Sequence, residues 1–139
     1  MESLPVVTIY TDGSCKHGYG GWASVLICGT YQCNLCGSAL HTTSNRMELT
    51  AAIEALKRLN TRCIVHLYSD SEYVVLGIHR YNKWLRSGKS IPNNDLWEEL
   101  MNLIAIHKVI PNWVKGHNGT AFNEVCDSLA GYARENRIM

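Results

Sequence analysis

The sequence predicts an α/β protein with a mixed five-stranded sheet and helices packed on both faces. Three observations support this. Residues 6–40 hold three strand-like apolar runs separated by short Gly-containing connections, as in an antiparallel meander. From Thr42 onward, helix-period segments alternate with short apolar runs. Strand–helix–strand order favours parallel pairing with right-handed crossovers, so the meander and the later strands are expected to share one mixed sheet.

The elements follow in order. "VVTIYTDGSC" opens with Val6, Val7, Ile9 and Tyr10 as a buried strand. "GYGG" (Gly18–Gly21) reads as a flexible loop. "WASVLICG" and "TYQCNLCGSAL" read as strands joined by a turn at Gly29 and Thr30. "TTSNRMELTAAIEALKRLN" is a helix: Thr42, Thr43, Ser44 and Asn45 offer N-caps, and Leu49, Ala52, Ile53, Leu56 and Leu59 recur along one face. Ile64–Tyr68 form a strand that runs into Asp70. The following segment, "EYVVLGIHRYNKWLRSG", is helical with a break expected near Gly77 or Asn82. After Pro92 a second amphipathic helix opens at Asn94 or Asp95. "VIPNWVKG" is a strand whose Pro111 points to an edge or a bulge. "AFNEVCDSLAGYARENR" closes the chain as a helix with Val125, Leu129, Tyr132 and Ala133 on its buried face. No repeat or linker divides the sequence, so residues 1–139 are read as a single domain.

Composition narrows the class. Hydrophobic residues make up 46% of the 139-residue chain, which disfavours disorder. No apolar run reaches membrane-span length and no signal peptide precedes the first strand. A cytoplasmic protein without membrane contact, monomeric, is the expectation. The net charge of +1 says little, but no acid occurs between Glu72 and Asp95, whereas Arg80, Lys83, Arg86 and Lys89 fall there. Such a segment suits a polyanion, though a solvated helix face is its commoner fate. Without a secretory signal the six cysteines are expected as free thiols. Cys33-x-x-Cys36 stands alone and supports zinc only weakly.

The chemistry concentrates in four acids. Asp12 and Asp70 each follow an apolar strand and precede a small residue. If those strands are parallel neighbours, both carboxylates emerge at the same sheet edge, where α/β proteins bind ligands. Each also has an ordinary reading: Asp12-Gly13 is a common turn pair, Glu48 fits the dipole of a helix N-terminus, and Asp127 fits a solvated helix face. Together they make an all-oxygen set suited to Mg²⁺ or Mn²⁺. Two such ions about 3.5–4 Å apart can hold an attacking water and a leaving oxygen across a phosphodiester. Periodicity alone leaves their convergence open.

"YTDGSC", "TTSNRMEL", "SDSEYV", "NDLW" and "WVKGHNG…NEVCDSLA" occur in the order found in type 1 ribonuclease H, and the chain resembles that family from about Val6 to Arg134. The resemblance implies the ribonuclease H-like fold and hydrolysis of the RNA strand of RNA–DNA hybrids, leaving 5′-phosphate and 3′-hydroxyl ends. It implies that Asp12, Glu48, Asp70 and Asp127 hold two Mg²⁺ ions, Asp12 bridging them, Asp127 on the ion that activates water, and Glu48 and Asp70 on the ion beside the leaving oxygen. His117 matches a histidine assisting proton movement or product departure. Thr43, Asn45 and Asn93 match positions that grip the hybrid backbone. Tyr81, Trp84, Arg86 and Lys89 match a handle-like basic protrusion, with core packing an alternative for Trp84. The chain departs from the pattern in three places. "KHGYGG" replaces a longer loop whose asparagine faces the hybrid, Glu72 stands where relatives carry glutamine, and the protrusion is shorter and less basic. Another nuclease or recombinase on the same fold, and a non-catalytic hybrid-binding module, are the alternatives. The motifs around Glu48 and His117 argue against the first. Retention of four acids near phosphates argues against the second.

Overall fold

The computed structural model describes residues 3–115 and 121–137. Its strands are β1 (Val6–Lys16), β2 (Tyr19–Cys28), β3 (Tyr31–Leu40), β4 (Ile64–Ser69) and β5 (Lys108–Trp113). Its helices are α1 (Ser44–Lys57), α2 (Glu72–Ser87), α3 (Asn94–Ile106) and α4 (Ala121–Asn136). The strands form one sheet in the order β3-β2-β1-β4-β5. β1 pairs antiparallel with β2 and β2 with β3, while β1–β4 and β4–β5 are parallel. The mixed five-stranded sheet is the one anticipated, and Pro111 lies on an edge strand, where a missing N–H is tolerated.

β1 alternates rather than being buried throughout. Val7, Ile9 and Thr11 are buried, whereas Val6 is exposed and Tyr10 half-buried, because only one face of this strand meets α1. Val7, Ile9, Leu26, Val65 and Leu67 form one core with Leu49, Ile53 and Leu56 of α1, Val74 and Tyr81 of α2, and Trp97 and Leu100 of α3.

Gly20 and Gly21 belong to β2, paired with Cys15 and Ser14, and not to a flexible loop. They are small because two helices press on them. A Cβ on Gly20 would stand 2.6 Å from Met47 of α1; one on Gly21 would stand 2.1 Å from the Ala130 carbonyl oxygen of α4. Successive strand residues point to opposite faces, so α1 and α4 cover opposite faces of the sheet. The turn before them is tight: His17 (φ 54°) and Gly18 (φ 80°) connect the paired residues Lys16 and Tyr19, as a type I′ hairpin requires.

Two helices depart from expectation. α2 runs unbroken through Gly77 and Asn82. Gly77 admits Trp97, whose ring would lie 2.1 Å from a Cβ there. In α4 the buried residues are Asn123, Cys126, Ala130 and Ala133, while Tyr132 is 56% exposed. Small residues on that face let the helix backbone approach Gly21, and the bulky Tyr132 turns outward.

Gly21→Ala is expected to lower stability by about 2 kcal/mol or more, since the added methyl meets backbone that cannot rotate away. Thermal unfolding measures this, and an unchanged Tm would show that α4 does not seat on this strand.

Candidate active site

The parallel pairing of β1 with β4 ends at Thr11 and Ser69, so Asp12 and Asp70 are the next residues on neighbouring strands. β1 itself continues to Lys16 against β2, which makes the Asp12-Gly13 pair extended strand and not a turn. Two residues below each acid, Tyr10 and Tyr68 stack with centroids 5.0 Å apart. The same side-chain alternation sends Asp12 and Asp70 upward together.

Glu48 arrives from the opposite face. Met47, Glu48 and Leu49 are all buried on α1, and the Glu48 side chain reaches past the sheet at Gly13. The Gly13 N–H donates to Glu48 Oε1 and, at 2.9 Å, to Asp12 Oδ1. The Ser69 hydroxyl lies 3.5 Å from Glu48 Oε2. Gly13 has no positive φ. It is glycine because a Cβ would stand 2.6 Å from the Glu48 amide nitrogen and 2.8 Å from the Met47 carbonyl carbon.

One carboxylate oxygen each from Asp12, Glu48 and Asp70 lies within 4.8 Å of the others. Asp127, exposed on α4, lies close enough to Asp12 to raise its hold on a proton. Three acids thus share one cluster, and Asp127 borders it from α4. Asp12 is 4% exposed and Glu48 7%. Burial, then the charges of Asp70 and Asp127, pushes the Asp12 carboxyl up to about 7. Burial, then Asp12, holds Glu48 well above the usual carboxylate range. Without a cation the cluster keeps protons at neutral pH that free carboxylates would have lost. A hard divalent cation relieves this repulsion, and the all-oxygen donor set fits one.

Around the acids the first turn of α1 is fixed by polar bonds. Thr43 caps the helix, accepting from the Arg46 amide at 3.2 Å, and stays exposed with Asn45. Arg46 holds Asp95 bidentately at 2.7 and 3.0 Å and reaches Asn93 at 3.3 Å. This pair draws Asp95 down to about 2. Asn93, in the left-handed region (φ 58°), also donates to the Tyr73 hydroxyl. Arg46 thus links Thr43 to Asn93, and Asn45 lies exposed in the same first turn of α1.

The protrusion residues divide. Arg86 and Lys89 are exposed. Trp84 packs edge-on against Trp97 at 5.6 Å and is partly buried. Tyr81 is 5% exposed, stacks on Trp97 and donates its hydroxyl to Asn94, which leaves no ring face for a sugar and corrects the expected contact. His117 lies outside the described residues. Cys33 and Cys36 leave opposite faces of β3, since Cys33 pairs with Leu26 and Cys36 with Ala23.

The sequence reading missed Gly13 and Ser69 as props of Glu48, Arg46 as the tie between α1 and α3, and Trp113. Trp113, 48% exposed, donates its indole N–H to the Asp70 carbonyl at 3.1 Å. Its only advance signal is its place beside the "VKG" loop. Arg46 and Asp95 are 49 residues apart and give none.

Comparison with known proteins agrees with this geometry. The RNase H family profile matches residues 5–135. Ribonuclease H of Cupriavidus pinatubonensis is 47% identical over 133 residues, covering 89% of this chain and 92% of that protein. Ribonuclease HI of Caulobacter vibrioides is 47% identical, covering 91% of each. The solved structure of LC9-RNase H1, a type 1 RNase H with the type 2 active-site motif, superposes with a TM-score of 0.89 at 30% identity, covering 99% of this chain and 75% of that one. The foamy viral protease-reverse transcriptase, solved in complex with RNA/DNA hybrid, shares the fold at 19% identity and a TM-score of 0.76, with 95% of this chain on 20% of that one.

Two outcomes follow from the crowding. In metal-free protein, folded Asp12 titrates near 7 and an unfolded aspartate near 3.9. Between those values the folded state holds more protons, so stability falls as pH rises from about 4 to about 7 and stays low above. Tm against pH in EDTA is expected to show this fall, with Asp12→Asn melting higher than wild type at pH 8; a flat profile in wild type would mean the acids do not repel. Gly13→Ala is expected to displace Glu48 and cut turnover at least about tenfold, and wild-type rates in that variant would rule out the close approach.

Proposed function

The chain belongs to the RNase H family, and on that premise we propose that it cuts the RNA strand of RNA–DNA hybrids, leaving 5′-phosphate and 3′-hydroxyl ends. The cluster of Asp12, Glu48 and Asp70, bordered by Asp127, carries the reading. Pure binding of a polyanion gains nothing from four acids placed where phosphates must approach.

Asp12, Glu48, Asp70 and Asp127 would hold the divalent cations, two Mg²⁺ during turnover with Mn²⁺ as a substitute. When bound, those ions supply the positive charge and the activated water that phosphodiester hydrolysis demands. The remaining chemistry belongs to the chain. The Gly13 amide and Ser69 hydroxyl fix Glu48, and the Trp113 indole restrains the backbone at Asp70. Thr43, Asn45 and Asn93 offer hydroxyl and amide groups to backbone phosphates and 2′-hydroxyls at the shared end of α1 and α3. Arg86 and Lys89 meet phosphates further out, with Trp84 backing them from the core. His117 serves proton movement or product departure, a role suited to an imidazole.

The test offers labelled hybrid, double-stranded RNA and double-stranded DNA with Mg²⁺, Mn²⁺ or EDTA. Cutting confined to the RNA of the hybrid and lost in EDTA is expected. Cutting of duplex DNA would assign a different nuclease activity, and binding without cutting a non-catalytic module. Asp12→Asn is expected to reduce turnover by about 10²–10³-fold or more while the fold persists. Arg86→Ala with Lys89→Ala should weaken hybrid affinity and flatten its salt dependence; an identical salt slope would remove those side chains from the binding surface.

A further inference from the structure

β1 and α4 run as two rails away from the acids, and both end in cations. On β1, Asp12, Ser14 and Lys16 share one face by the strand period. Four residues of strand place Lys16 about 13 Å beyond Asp12. On α4, Arg134 follows Asp127 by two turns on the same side, about 10 Å further along the axis. Arg137 comes three residues later, past the helix end. Two independent elements thus each place a basic group roughly 10–13 Å beyond an acid.

The basic end is a built depression of about 230 Å³ lined by Lys16, His17, Tyr19, Arg134, Glu135 and Arg137. Its frame is held from several sides. The type I′ hairpin at His17-Gly18 fixes Lys16 opposite Tyr19. The Gly18 carbonyl accepts from the Thr42 amide at 3.1 Å. The backbone of Arg134 rests on Gly21, and its guanidinium donates to the Ser14 hydroxyl at 2.5 Å. The Arg137 guanidinium lies over the Tyr19 ring, 4.4 Å from its centroid. Glu135 is the one acid in the lining, and it is engaged with Arg134 at 3.2 Å. Among the described residues, Lys16 and Arg137 have no acidic partner at salt-bridge distance.

We propose that this depression is a second backbone-phosphate site, which holds the nucleic-acid duplex by a phosphate a few nucleotides from the one at the acids. The inference rests on the hybrid-cleaving reading above. Lys16 and Arg137 supply the charge, Arg134 the support, and Tyr19 the surface that fixes the Arg137 fork for a phosphate.

Binding is measured in an Asp12→Asn background with Mg²⁺, using a labelled RNA–DNA hybrid of about 20 base pairs over a range of salt. Lys16→Ala with Arg137→Ala is expected to raise Kd about tenfold at 0.1 M salt. The slope of log K against log salt should shrink by about 0.9, the release expected from one lost phosphate contact. Lys16→Arg with Arg137→Lys should restore both. Lys16→Gln alone, which leaves Arg137 on Tyr19, should lose about half the slope change and guards against a double variant that fails to fold. Unchanged Kd and slope in the double variant, while its parent binds hybrid, would overturn the phosphate site and leave the activity standing. A parent that fails to bind hybrid, with wild-type protein that fails to cut it, would overturn the activity and this site with it.

Discussion

Glu48 lies on a core helix, and its carboxylate nonetheless reaches a site on the far side of the sheet, because Gly13 has no side chain to block it. The contact is backbone against backbone: Met47 and Glu48 of α1 stand where any Cβ on β1 would be. That approach lets the Gly13 amide donate to Glu48, and it brings a buried acid against Asp12, itself buried. The raised affinity of both for protons follows from it. So does the affinity for a cation, since a desolvated carboxylate cluster is stabilised by whatever neutralises it. Around this contact, parallel pairing aligns Asp70 with Asp12, and α4 adds Asp127 from the opposite face.

Glycine serves the same end at other positions. Gly20 and Gly21 take α1 and α4 on opposite faces of one strand, and Gly77 takes the ring of Trp97. Trp97 in turn gathers Tyr73, Tyr81 and Trp84 and locks α2 to α3. Tyr73 passes this order on, accepting from both Trp97 and Asn93. Arg46 closes the circuit through Asn93 and Asp95 back to α1. The rigidity of the link between Thr43 and Asn93 therefore originates in an apolar wedge some residues away.

Most elements were legible in the residues because their periods are clean. The face of α1 from Leu49 to Leu56 and the run from Ile64 into Asp70 needed no tertiary information. The errors share a cause. Gly18–Gly21 and Gly77 looked like loop and break because local propensity treats glycine as flexible, whereas here close packing from another segment selects it. Tyr132 looked buried because it is large and apolar, but the α4 face that meets Gly21 admits only small side chains. Tyr81 looked available because it lies in a basic stretch; its neighbour Trp97 buries it.

Type and order were set by sequence alone: which segments are strands, which are helices, that Asp12 and Asp70 follow apolar strand runs, that Glu48 opens a helix and that Asp127 lies within one. Those properties depend on side-chain period and backbone preference within a few residues. Tertiary structure alone decided that the acids converge and that Gly13 is a passage and not a turn. It also decided that Trp113 restrains Asp70 and that Lys16 and Arg137 share a depression. Each of these depends on distances between segments far apart in the chain, and no local pattern encodes a distance.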